Sequence, residues 1–316
     1  NVNHLLIVAL LFLLLFPCLC FDRSAVYHRS QSAKKPALEI IQPHIRCTVG
    51  FMYEIQCPQL QSIQLFYRPY QDTGIFFNSN VIDIEACKWH GVTVTNVPSY
   101  STAGVAQLTF AFITEFACHT KIHSDSVMAG DWCKSPDFCY WKLPLTELEG
   151  KVLGILGYGN IGSRVAQIGK AFGMKIIVCS RSKKNGVDNV TLEELLSMSD
   201  FITLHAPLTK ETSKIINKDS LKYVKKTSYI INTARGGLVD EEAIRDALDS
   251  KAIAGYAADS VSEEPMKSNN PLLGAPNCLL TPHIAWAATE TRQRLLNIVV
   301  ENIEAWLNNK KQNVIV

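Results

Sequence analysis

The chain has 316 residues, room for two domains that each bury a core, which excludes a single small binding module. Its 31 basic and 29 acidic residues leave a formal charge of +2, too little to favour nucleic acid or an anionic membrane as the main partner. Ten cysteines spread from Cys18 to Cys278 with no C-x-x-C pair argue against a disulfide framework or a zinc site. Reduced thiols, a cytoplasmic setting, no metal and a small-molecule partner are the expectation.

The first element is an apolar run from Leu5 to Cys20, broken only by Pro17. It resembles a signal-peptide core, which leaves secretion or membrane association as a second reading, yet no Lys or Arg precedes it and a membrane span needs ~20 apolar residues. The chain opens on Asn1 rather than Met, so residues 1–20 read as a signal-like or corrupted stretch. Apolar residues at helical spacing then predict a helix from Ser101 to Glu115.

From Glu147 onward β-branched runs alternate with helical patterns, the signature of βαβ units and a parallel sheet. Val152–Leu156 is the first strand, followed by a glycine-rich turn and a helix to about Phe172. Lys175–Cys179 is the second strand. Thr191 and Glu194 form a capping box opening a helix to about Met198, and Phe201–His205 is the third strand. Ser228–Asn232, a helix from Asp240 to Ser250, Ile253–Asp259 and Cys278–Thr281 complete six strands. The fold class is therefore α/β, a doubly wound Rossmann cofactor domain with a second, smaller, discontinuous α/β domain. A long amphipathic pattern from Thr289 to Asn308 closes the chain. The expected division is residues 99–284 for the NAD(P)-binding domain, and 21–98 with 285–316 for the substrate domain.

In such a sheet the ligand lies beyond the carboxyl ends of the strands, so the residues there carry the function. Gly157-Tyr158-Gly159-Asn160-Ile161-Gly162 directly follows a strand and opens a helix. Gly157 permits the turn, Gly159 lets backbone approach a pyrophosphate, Gly162 allows close packing, and the N–H groups around Asn160 and Ile161 face the phosphates. The second strand ends in Ser180-Arg181-Ser182. No carboxylate is present to receive a ribose 2′-hydroxyl, and the guanidinium suits a 2′-phosphate, so the cofactor is NAD or NADP, with NADP tolerated or preferred.

Hydride transfer to a carbonyl leaves an oxygen that needs a proton, and a 2-keto acid needs a cation for its carboxylate. His205 and His283 fall at strand ends, and His283 follows the last strand. Arg235 follows the fourth, where Gly236 and Gly237 leave its guanidinium uncrowded. Asp259 ends the fifth strand. Glu264 is the carboxylate expected on the His283 ring, where it favours the protonated form.

These residues resemble the D-isomer-specific 2-hydroxyacid dehydrogenases over about Asn80 to Val316. The match includes Asn96 to Thr102, the glycine turn, His205-Ala206-Pro207-Leu208-Thr209, Asn232 to Gly237, Asp259 with Glu264-Pro265, and Thr281-Pro282-His283. The resemblance implies that Arg235 binds the substrate carboxylate and carbonyl, His283 is the acid and base, and Glu264 orients it. It also implies that Thr102, Thr233 and Asp259 contact the cofactor, Asp259 near the carboxamide. Trp132 to Trp141 and Ala285-Trp286-Ala287 are similar to the glycerate dehydrogenase, or hydroxypyruvate reductase, branch. That makes the expected reaction hydride exchange between NAD(P)H and hydroxypyruvate or glyoxylate. Thr102 to Gly130 resembles the family's dimerisation arm, so a homodimer is implied.

The chain departs from the family before Asp83, where a short loop of small residues is replaced by Phe76-Phe77-Asn78-Ser79-Asn80 with Thr73-Gly74 upstream. Residues 1–75 lack a repeated βα pattern. The alternatives to an enzyme are a dinucleotide-binding sensor or scaffold, and an inactive relative with a degraded substrate domain.

Overall fold

A computed structural model describes residues 83–89 and 93–316, together with the backbone of three short strands between residues 45 and 67. The Leu5 to Cys20 run, Thr73-Gly74 and the Phe76 to Asn80 segment lie outside the described residues. The chain divides into two compact units, residues 1–98 with 296–316, and residues 99–295.

In the first unit β1 (Ile45–Val49) pairs antiparallel with β2 (Phe51–Ile55) and parallel with β3 (Phe66–Tyr67). Helix α1 (Ile84–Trp89) follows Asp83. The C-terminal tail returns to residues 94–96: Val94 N–H donates to Val316 O at 2.8 Å, and Asn302 Nδ2 donates to Asn96 O at 2.9 Å.

The second unit opens with α2 (Thr102–Cys118) and α3 (Thr120–Met128) and is built on seven parallel strands. These are β4 (Val152–Leu156), β5 (Lys175–Cys179), β6 (Asp188–Asn189), β7 (Phe201–Leu204), β8 (Tyr229–Asn232), β9 (Gly255–Ala258) and β10 (Cys278–Leu280). Their spatial order is β10-β9-β8-β7-β4-β5-β6, so the winding reverses at β4, between β5 and β7. Six of these strands are those expected from sequence. The seventh, β6, is two exposed residues at the edge, too short to leave a periodic pattern.

Helices α4 (Asn160–Ala171), α5 (Leu192–Met198) and α6 (Glu241–Asp249) fill the crossovers, and α7 (Thr289–Leu307) ends the helical part. The α5 capping box forms as expected: Glu194 N–H donates to Thr191 Oγ1 at 3.2 Å and Thr191 N–H to Glu194 Oε2 at 2.8 Å. No α-helix forms between β7 and β8, only a 3-10 turn at Ser220–Tyr223.

Alternate residues of each strand serve opposite faces. Leu153, Ile155, Ile231 and Ala257 pack with Phe110, Ile113, Phe116 and Val165 beneath α2 and α4. Leu156, Ile202, Ile230 and Tyr256 pack with Leu195, Leu196, Ile244 and Leu248 beneath α5 and α6. Burial on both faces explains why these strands read as nearly continuous apolar runs. Among the described residues no helix is long and apolar enough to cross a membrane.

Candidate active site

Each expected site residue outside α2 lies at or just beyond a carboxyl strand end. After β4, Gly157 takes φ +93°, and a Cβ there would fall 2.5 Å from the Ala206 backbone nitrogen. A Cβ on Gly162 would lie 2.2 Å from the Gly157 carbonyl oxygen. Both glycines are thus required by the protein's own packing. Gly159 is not: its φ is −90° and a Cβ would meet no protein atom within 4 Å. The space beside Gly159 lies at the N-terminus of α4, where the N–H groups of Asn160, Ile161 and Gly162 have no intrahelical acceptor. That geometry fits a pyrophosphate. The Asn160 side chain is turned away, its Nδ2 donating to Ser99 Oγ at 2.5 Å.

After β5, Ser180 Oγ donates to Ser182 O at 2.8 Å, which closes the turn and leaves Arg181 exposed, without an ion pair among the described residues. After β7, the His205 ring nitrogens are buried with no hydrogen-bond partner among the described residues, and burial pushes its pKa down to about 3. The ring is neutral, its nitrogens closed off from solvent, and the His205–Ala206 backbone is what lies against Gly157.

After β8, Asn232 braces the turn: its Nδ2 donates to Arg235 O at 2.8 Å and its Oδ1 accepts from Ala234 N–H at 3.1 Å. Thr109 Oγ1 donates to Val105 O at 2.8 Å, so the 2.9 Å contact between the two hydroxyls has Thr233 as donor and Thr109 as acceptor. Thr102 is the first residue of α2. Arg235 is exposed, and its charge acts on both Glu264 and Tyr100. Gly236 is demanded by backbone packing, since a Cβ there would fall 1.9 Å from the Val261 carbonyl carbon, and Gly237 faces the Leu208 side chain.

Beyond β9 and β10 the structure brings Glu264 and His283 together. Nδ1–H of His283 donates to Glu264 Oε2 at 2.7 Å, while Glu264 Oε1 accepts from Val261 N–H at 3.1 Å. Burial raises the Glu264 pKa, but the His283 bond and the charges of His283 and Arg235 outweigh it and hold the carboxyl below its ordinary value. Nε2 is left as the ring nitrogen able to exchange a proton. His283 sits at φ +53°, a left-handed conformation that persists only where neighbours fix it. Asp259, 2% exposed, does so: it accepts from Thr281 Oγ1 at 2.5 Å and from Ile284 and Ala285 N–H at 2.8 Å each. Gly104 of α2 closes the other side, since a Cβ there would fall 2.5 Å from the Ala285 carbonyl oxygen.

Residues 110–285 match the model of the D-isomer specific 2-hydroxyacid dehydrogenase NAD binding domain. The chain belongs to this family. It is 41% identical over 265 residues to a hydroxypyruvate reductase of Blautia hydrogenotrophica, covering 82% of this chain and 80% of that one. It is also 41% identical to a glycerate dehydrogenase of Methylorubrum extorquens over 241 residues, 75% of this chain and 76% of that one. A crystal structure of D-lactate dehydrogenase from Aquifex aeolicus with NAD and lactic acid superposes with a TM-score of 0.68, at 32% identity over 76% of this chain and 78% of that one. Membership makes the chain an oxidoreductase acting on CH-OH donors, using NAD or NADP and a small hydroxyacid substrate.

Two supports escaped the sequence reading. Thr109 lies 124 positions from Thr233, and Glu241 holds the segment before Glu264 from α6. Only their place on helix faces turned toward the sheet could have pointed to them.

Proposed function

We propose that the chain reduces hydroxypyruvate, and glyoxylate as a second substrate, with His283 giving the proton to the developing alkoxide. The observation that carries this reading is the 2.7 Å bond between His283 and Glu264, which leaves Nε2 as the outward donor. The cofactor, when bound, supplies the hydride. Gly157, Gly159, Asn160, Ile161 and Gly162 hold its phosphates. Ser180 and Arg181 hold the ribose end, with the exposed guanidinium favouring NADPH. Thr102, His205, Thr233 and Asp259 complete the cofactor contacts. Arg235 pairs with the substrate carboxylate, a geometry its planar fork suits. Residues 99–284 are the cofactor domain in this reading, and 21–98 with 285–316 the substrate domain.

The protein acts in the cytoplasm, in keeping with free thiols at all six described cysteines. It acts as a homodimer through the Thr102 to Gly130 arm, where Ile122, Val127 and Met128 are 43%, 38% and 85% exposed, apolar side chains that a second copy would cover.

The test is steady-state kinetics with NADH and NADPH on hydroxypyruvate and glyoxylate, run beside His283→Ala. Turnover should fall by about 10²–10⁴-fold in the variant while dinucleotide binding is kept. A wild-type protein that binds the dinucleotide but oxidises it with neither keto acid would overturn the reading.

A further inference from the structure

Glu241 is the first residue of α6, where a carboxylate ordinarily sits in solvent as a partner of the helix dipole. Here it is 8% exposed and forms no ion pair among the described residues. Three donors satisfy it instead. Ser262 N–H donates to Oε1 at 2.7 Å, while Ser262 Oγ at 2.7 Å and Asn270 Nδ2 at 2.9 Å donate to Oε2. A buried carboxylate without a cation persists only where its hydrogen bonds are complete, so this arrangement holds its partners firmly.

All three donors belong to the segment between β9 and β10 that carries Glu264. Ser262 is two residues before Glu264, and its neighbour Val261 donates to Glu264 Oε1 at 3.1 Å. The Val261–Ser262 peptide also rests on Gly236, where no side chain would fit. The chain from Glu241 to Ser262, Val261, Glu264 and His283 is therefore continuous contact. The opposite side of the pair is held separately, by Asp259 on the residues flanking His283.

We propose that Glu241 is a positioning residue for proton transfer: by fixing Ser262 from α6 it places the Glu264 carboxylate on Nδ1 of His283. The proposal rests on the reading of His283 as proton donor. The charged groups around the pair are Glu264 on the ring, Arg235 acting on Glu264 and Tyr100, and Asp259 behind the loop. A displaced Glu264 withdraws the only carboxylate bonded to the ring among the described residues. The protonated ring is then less favoured, and reduction fails at lower pH.

Glu241→Gln turns one acceptor into a donor facing Asn270. It should lower kcat/KM for hydroxypyruvate by about tenfold. It should also move the basic limb of the pH profile down by about one pH unit, in the same direction as Glu264→Gln. The dinucleotide Kd should not change. The double variant Glu241→Gln with Asn270→Asp restores an acceptor opposite the new donor and should return the limb toward its original position. Ser262→Ala removes only the hydroxyl donor and should give a smaller shift of the same sign, which serves if Glu241→Gln folds poorly. If Glu264→Gln shifts the limb while the Glu241 and Ser262 variants lower activity equally at every pH, the positioning role is overturned alone. An unshifted Glu264→Gln overturns the proton-donor reading, and the role of Glu241 with it.

Discussion

The Thr281 hydroxyl donates to Oδ1 of Asp259 across 2.5 Å, and the N–H groups of Ile284 and Ala285 fill further acceptor positions on the same carboxylate. About four lone-pair sites exist on a carboxylate, so about one remains for the cofactor carboxamide that the resemblance implies. Asp259 is first of all the anchor of the loop that bends at His283. Asp259→Asn keeps the shape but sets an N–H against a donor. Unfolding free energy in urea should fall by about 1–3 kcal/mol, with kcat falling as His283 loses its fixed orientation. Unchanged stability and unchanged kcat would show that the loop holds itself.

Two glycines make a contrasting pair. Gly159→Ala adds a methyl where no protein atom lies within 4 Å and φ is unstrained, so the fold should be stable to within about 1 kcal/mol. The same methyl occupies the phosphate space, and the dinucleotide Kd should rise by an order of magnitude or more. Gly236→Ala drives a methyl to 1.9 Å from the Val261 carbonyl carbon, and should destabilise the protein by about 1–3 kcal/mol or more. Thermal melts and dinucleotide fluorescence titrations on both variants separate the effects.

The sheet and its strand ends were legible because a strand buried on both faces must be apolar throughout, and the turns between strands need particular residues. Ile230 and Ile231 show the first, packing in opposite cores, and the Thr191 capping box shows the second. Contacts between distant segments were not legible. The Glu264–His283 pair was inferred from chemistry, but Glu241, 21 positions from Ser262, carries no local signal beyond its place on the buried face of α6. Gly236 shows the same limit in another form: sequence indicated the need for a glycine, while the reason lies 25 positions away at Val261.

Arg181 stands exposed after β5, without an ion pair among the described residues, where a dinucleotide's adenosine ribose is expected. Arg181→Ser removes one guanidinium and leaves the Ser180 to Ser182 turn bond in place. Charge-assisted bonds to a phosphate are worth about 1.5–3 kcal/mol, so the KM for NADPH should rise by about 10–100-fold. The KM for NADH, which has no 2′-phosphate, should stay within about twofold. Equal effects on both cofactors would remove Arg181 from the 2′ position.

His205 gives a prediction about pH. Its ring nitrogens are buried without partners among the described residues, and burial holds the pKa at about 3 against an ordinary 6.5. Between those values the unfolded chain binds a proton that the folded chain refuses. Stability from this residue is therefore fully present above about pH 6.5 and is lost as pH falls, at about 1.4 kcal/mol per pH unit. His205→Leu gives up no hydrogen bond and removes two unsatisfied polar atoms, so at about pH 7.5 it should be at least as stable as the parent. Urea unfolding at about pH 7.5, 6 and 5 should give a flatter line for the variant, with the two proteins diverging toward acid. Parallel lines would mean that His205 takes up its proton in the folded state, and that the ring reaches water or a partner there.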